Sequence, residues 1–66
     1  MHITLNGELR EIAAGATISA LLLSLNLPST RVAVEVNGDL VRRLQHETHV
    51  LLAADVVEIV TLVGGG

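Results

Sequence analysis

The 66-residue sequence predicts one α+β domain, in which a single helix packs on one face of a mixed sheet. Three observations support this fold class: an apolar stripe at helical spacing, several short segments with strand-like patterns, and two Asn-Gly dipeptides between them. The predicted order is strand, strand, helix, strand, short strand, strand. Because the helix joins the second and third strands, it can cover only one face of the sheet.

The first two strands form a predicted β-hairpin. Residues 2–6 alternate polar and apolar side chains, Asn6-Gly7 suits a tight turn, and residues 8–12 read as the returning strand. Leu9 and Ile12 are three residues apart, so in a regular strand their side chains would lie on opposite faces of the sheet. A bulge between them would place both on one face, and the pattern leaves this register open.

The helix is predicted to begin after Thr17, whose hydroxyl can cap the first turn, and to span about nine residues. Asn26, Leu27 and Pro28 are the predicted end of the helix, because Pro28 cannot continue the hydrogen-bond ladder and biases Leu27 away from helix. A helix this short needs tertiary contacts to persist. The side chains at i, i+3, i+4 and i+7 that would supply them are Ile18, Leu21, Leu22 and Leu25.

The second half of the chain predicts three further strands, over residues 32–36, 39–42 and 56–63. Asn37-Gly38 is the hairpin turn between the first two. Residues 44–49 are polar and irregular, residues 50–52 return to the core, and residues 53–55 turn into the last strand.

Composition excludes several classes of function. The net charge is −3, with no lysine and no aromatic residue, so the chain lacks the basic stripe and stacking platforms of a nucleic-acid binder. Without cysteine it has no disulfide and no thiolate metal ligand. No apolar run reaches the length of a membrane span, and the first residues lack a signal-peptide pattern. The expected location is the cytoplasm.

Enzyme motifs are missing as well. The serines lie outside any Gly-x-Ser-x-Gly context, and the glycines before residue 60 stand alone, so neither a nucleophile nor a phosphate loop is indicated. His46 and His49 could share a metal on one helical turn. No second pair of ligands accompanies them, and two solvated loop histidines are the expected alternative.

The last predicted strand divides into two faces. Val57, Ile59, Thr61 and Val63 share one face, and Val56, Glu58, Val60 and Leu62 share the other. If the helix covers the first face, Glu58, Val60 and Leu62 lie on the open side. They are then either ordinary surface residues or a docking patch that leads into the end of the chain.

Three glycines, Gly64, Gly65 and Gly66, follow this strand. They can be read as a tag or a disordered end. Alternatively, glycines without Cβ can thread a narrow channel and present the carboxylate of Gly66 without crowding. That carboxylate reacts with nucleophiles only after activation as a mixed anhydride. The chain has no ATP site, so a second protein would have to activate it.

The chain resembles the ThiS proteins, the sulfur carriers of thiamin biosynthesis, within the ubiquitin-like β-grasp fold. The resemblance covers essentially the whole chain and rests on five stretches in matching order. These are MHITLNG (1–7), GATISALL (15–22), VAVEVNG (32–38), VEIV (57–60) and VGGG (63–66).

The resemblance implies a β-grasp domain over residues 1–63, with a mixed sheet of four to five strands, and a flexible tail over residues 64–66. It implies that an adenylating enzyme of the ubiquitin-activating, ThiF type uses ATP on Gly66, while the carrier itself binds no cofactor. Sulfur from a cysteine desulfurase then gives a thiocarboxylate, which a thiazole synthase of the ThiG type consumes. Gly64 and Gly65 would thread the partner's channel, and the three open-side residues of the last strand would dock it.

Two positions depart from the family pattern: Ala54 stands where glycine is common, and Arg42 stands where proline is often found. Both concern loop geometry. Two other functions remain open: the small subunit of molybdopterin synthase, with the same thiocarboxylate chemistry, and a ubiquitin-like modifier or interaction domain. The first is usually longer and tends to have prolines before its Gly-Gly, which residues 61–63 lack.

Overall fold

A computed structural model describes residues 1–62 of the chain; Val63 and the three glycines lie outside the described residues. The regular elements are β1 (His2–Leu5), β2 (Glu8–Glu11), α1 (Ile18–Ser24), β3 (Val32–Val36), β4 (Asp39–Val41) and β5 (Val56–Thr61). Short 3-10 turns precede β3 and follow β4, at Ser29–Arg31 and Arg43–Gln45. Within residues 1–62, no helix is long and apolar enough to cross a membrane.

The five strands form one mixed sheet in the order β2-β1-β5-β3-β4. β5 lies at its centre, parallel to β1 and antiparallel to β3, and the two hairpins form the edges. This arrangement confirms the predicted element order and the single helix. The hairpin β1–β2 keeps a regular register from His2↔Glu11 to Leu5↔Glu8, so no bulge separates Leu9 from Ile12.

The two Asn-Gly turns also form hydrogen bonds to the central strand. Both residues of each dipeptide have positive φ, as a type I′ turn requires. The Asn6 amide pairs with the backbone of Ile59, where Oδ1 accepts from the N–H at 2.8 Å and Nδ2 donates to the carbonyl at 3.2 Å. Asn37 Oδ1 accepts from the Val56 N–H at 2.9 Å. Each turn therefore adds hydrogen bonds to β5 beyond those of the strands.

Thr17 is the N-cap that the sequence predicts: its Oγ1 accepts from the Ala20 N–H at 3.1 Å. The helix is shorter than expected, because it ends at Ser24, before Pro28 can act as the stop. Asn26 has φ 57, and the N–H groups of Asn26 and Leu27 bond the carbonyls of Leu23 and Leu22. This pattern is a Schellman cap with asparagine in the left-handed position.

The core lies between α1 and one face of the sheet. Its buried apolar members come from the helix, all strands except β2, and the loop before β5: Ile3, Ile18, Leu21, Leu22, Val32, Val34, Val36, Val41, Leu51, Val57 and Ile59. Leu25 packs against this core from just beyond the helix end. Of the segment 50–52, only Leu51 is buried; Val50 and Leu52 are exposed.

The loop between β4 and β5 is more ordered than its polar composition suggests. The carbonyls of His46 and His49 accept from the first two helical N–H groups, those of Ser19 and Ile18, at 2.9 and 3.1 Å. His46 is only 2% exposed, and its Nε2 donates to the Val41 carbonyl at 3.0 Å. The expectation of a solvated loop histidine is therefore wrong for His46. The backbone of this loop caps α1, and this position of the loop places the His46 ring in the core.

Ala54 adopts the conformation that glycine would favour, with φ 70 in a turn closed by the Asp55 N–H on the Leu52 carbonyl at 3.1 Å. We expect Ala54→Gly to raise the free energy of unfolding by about 0.5–1 kcal/mol, because it removes the Cβ clash of left-handed backbone. Ala53→Gly is the matched control and is expected to give no increase. Thermal unfolding of both variants tests this, and equal effects would contradict it.

Candidate functional site

The sheet face opposite α1, called here the open face, carries the predicted docking residues. Along β5, Val57 and Ile59 are buried, while Val56, Glu58 and Val60 are exposed. Leu62 continues this alternation and is also exposed. Thr61, which the alternation places on the covered face, is exposed at the strand end.

The open face is wider than β5 alone. Strand register places Leu9 beside Thr4, which in turn lies beside Val56. On the other side it places Leu40 beside Glu35, which in turn lies beside Glu58. We call its exposed apolar residues the open-face patch: Leu9 (75% exposed), Leu40 (65%), Val60 (61%), Leu62 (51%) and Val56 (47%). Sequence reasoning missed Leu9, Leu40 and Glu35. These residues could be found only from the strand register, that is, from the knowledge that β5 pairs with both β1 and β3.

The charge at the centre of the open face is acidic. Glu35 and Glu58 are direct cross-strand partners on β3 and β5. Among the described residues, the one contact between an acidic and a basic side chain joins Glu11 Oε1 to His2 Nε2 at 3.6 Å, on the β1–β2 hairpin, and it is an ion pair only when His2 is protonated. The open face therefore combines exposed apolar side chains with a central pair of carboxylates.

The open-face patch leads directly into the end of the chain. The last described hydrogen bond on this path runs from the Leu62 N–H to the Arg31 carbonyl, at 2.7 Å. Only four residues follow. The predicted tail and its reactive carboxylate, at Gly64, Gly65 and Gly66, lie outside the described residues and stay predictions.

The described residues offer little for a bound metal or phosphate. Residues 1–62 contain no group of three or more His, Cys, Asp or Glu side chains arranged to hold a metal ion. The start of α1 does not present free N–H groups to an anion. Those of Ile18, Ser19 and Ala20 bond to His49, His46 and the Thr17 hydroxyl, respectively.

One helix held against a mixed five-stranded sheet, with the last strand at the centre, defines the ubiquitin-like β-grasp class. The sequence profile of the ThiS family matches residues 3–66. The chain belongs to the ThiS family.

Solved structures confirm the fold. The crystal structure of the thiamine biosynthesis protein ThiS from Geobacter metallireducens superposes with a TM-score of 0.86 at 29% identity, with all of both chains covered. The solution structure of a thiamine biosynthesis protein from the same organism gives a TM-score of 0.82 at 29% identity. That match covers all of this chain and 88% of the other.

Curated relatives include longer proteins. Two thiazole synthases, from Paramagnetospirillum magneticum and Magnetococcus marinus, are 38% and 41% identical to the whole chain, which spans only 20% of the length of each. The uncharacterized protein ycf40 of Porphyra purpurea is 40% identical, with 93% of its length covered. Together with the family match, these likenesses support a sulfur-carrier role.

Proposed function

We propose that this protein carries sulfur for thiazole formation in thiamin biosynthesis, as a thiocarboxylate on Gly66. The observation that carries this proposal is the ThiS-family match, which runs through the glycines to residue 66. The chain is then a co-substrate of other enzymes and not a catalyst itself.

The proposed chemistry uses the carboxylate of Gly66 in two steps. In the adenylating enzyme the carboxylate attacks the α-phosphorus of ATP, which gives an acyl-adenylate and releases pyrophosphate. In the second step the terminal sulfur of a persulfide, supplied by a cysteine desulfurase, attacks the acyl carbon, displaces AMP and forms an acyl disulfide with the donor. A thiol then cleaves this disulfide, which releases the thiocarboxylate and leaves the thiol in a disulfide with the donor cysteine. The chain has no cysteine thiol and no lysine amine that could attack its own activated end.

The proposed acceptor of the sulfur is a thiazole synthase. Two proteins named thiazole synthase contain a segment that is similar to the whole of this chain. Their joining in one protein supports a shared task for that segment and the remainder of the protein. ATP is used by the adenylating enzyme, of the ThiF type, and the carrier binds no cofactor of its own.

The open face is the proposed docking surface for these partners, through Glu58, Val60 and Leu62 together with the rest of the open-face patch. Four residues separate Leu62 from the end of the sequence, and extended chain spans at most about 3.3–3.6 Å per residue. Gly66 can thus reach no farther than about 14 Å from Leu62. A partner bound to the open face must hold its reactive centre within that distance, with Gly64 and Gly65 in the channel.

The proposal predicts a defined change of mass. Incubation with ATP, the adenylating enzyme, a persulfide donor and a thiol reductant should add to the intact protein the mass difference between sulfur and oxygen. Omission of ATP is the control, because the carboxylate stays unactivated without it. An unchanged mass in the complete mixture would contradict the proposal, and thiazole formation with added thiazole synthase would distinguish it from a molybdopterin or protein-modifier role.

A further inference from the structure

Two carboxylates lie opposite each other at the middle of the open face. Glu35 and Glu58 occupy directly opposite positions on β3 and β5, where Cβ atoms lie about 4.5–5.5 Å apart and like charges are destabilising. Both residues are exposed. Among residues 1–62, neither carboxylate is in an ion pair within 4.0 Å or accepts a side-chain hydrogen bond. Arg42, just after β4, pairs with neither of them.

Apolar side chains frame this acidic pair. Leu40 is the cross-strand neighbour of Glu35 on the outer side, and Val56 and Val60 flank Glu58 along β5. A partner that covers these three exposed side chains also removes water from the two carboxylates. Buried carboxylates without a cation carry a large desolvation penalty. The partner must therefore bring the neutralising charge with it.

We infer that the docking partner presents an arginine guanidinium, surrounded by apolar side chains, to Glu35 and Glu58, and that the same pair prevents two copies of this chain from associating through their open faces. The inference rests on the proposed function for the existence of a docking partner. A guanidinium offers several N–H donors in a fixed plane and is less strongly hydrated than an ammonium, which suits two adjacent carboxylates inside an apolar frame. Two open faces in contact would instead bring four carboxylates together, and juxtaposed like charges oppose association.

The test compares two double variants with the same change in net charge. Glu35→Gln with Glu58→Gln removes the acidic pair, whereas Glu8→Gln with Glu47→Gln removes two exposed carboxylates elsewhere. The probe is the adenylating enzyme, with affinity measured by calorimetry at low and high salt. We expect the first variant to bind at least about tenfold more weakly, and the control to stay within about threefold of wild type. We also expect the first variant alone to self-associate in sedimentation experiments.

A third variant, Val60→Asp, leaves Glu35 and Glu58 in place and tests the apolar part of the open face. If Val60→Asp abolishes binding while the Glu35/Glu58 variant binds like its control, the open face docks the partner but the arginine inference is wrong. If both double variants weaken binding equally, the effect is general attraction to an acidic chain, which also contradicts the inference. A lower melting temperature for the Glu35/Glu58 variant would contradict the repulsion that it assumes. The proposed function fails separately, if the wild-type protein binds the enzyme and acquires no sulfur.

Discussion

Deletion of Gly65 and Gly66 is expected to abolish adenylation and to leave the melting temperature within about 1 °C of wild type. Every buried core residue lies before Val60, and the last described hydrogen bond of the chain is made by Leu62. The deletion removes none of these contacts. It does move the terminal carboxylate back by about 7 Å along extended chain, out of reach of a centre built for Gly66.

The measurements are ATP–pyrophosphate exchange with the adenylating enzyme and thermal unfolding of the free protein. Gly66→Ala is the matched control, because it keeps the chain length and the terminal carboxylate. It should retain more exchange than the deletion does. A fall of several degrees in melting temperature would show that the tail packs against the domain, and normal exchange by the deletion variant would overturn the role of Gly66.

Leu22→Ala is expected to have the largest effect on stability, with a loss of about 2–5 kcal/mol in the free energy of unfolding. Leu22 is 2% exposed and lies on the helix stripe that packs on the sheet. Truncation removes apolar contacts and leaves a cavity that a small, close-packed core cannot fill. A domain of this length has a total stability of only about 3–10 kcal/mol, so the variant should be partly unfolded at moderate temperature.

Leu23→Ala is the control for this prediction, since Leu23 is the next residue on the same helix and is 78% exposed. It should change the free energy of unfolding by less than about 0.5 kcal/mol. Urea unfolding of the two variants side by side provides the comparison. A loss below about 1 kcal/mol for Leu22→Ala would mean that its site collapses around the smaller side chain.

Local signals predicted most of the secondary structure. The Asn-Gly dipeptides fix both hairpins through positive φ, and Thr17 fixes the start of α1, because each of these effects acts within a few residues. The end of α1 was predicted less well. Asn26 and Pro28 are both plausible stops, and the sequence does not reveal that Asn26 adopts the left-handed conformation first.

Features that depend on distant contacts were harder to predict. His46 is buried because the backbone of its loop supplies carbonyl acceptors to the first turn of α1. No sequence pattern around His46 indicates this contact with the helix. Likewise, Leu40 and Glu35 join the candidate site only through cross-strand register. Of the open-face residues on β5, Glu58, Val60 and Leu62 could be predicted, since alternation along one strand is a local property.

The central position of β5 links folding to synthesis of the chain. β1 and β3 never pair with each other, and both depend on β5, the last strand in sequence, to join the two hairpins. A nascent polypeptide that has not yet released residues 56–61 from the ribosome can form hairpins but no complete sheet. Fragments cut short before Val56 should therefore remain unfolded and open to proteases, because the strand that joins the two hairpins is missing.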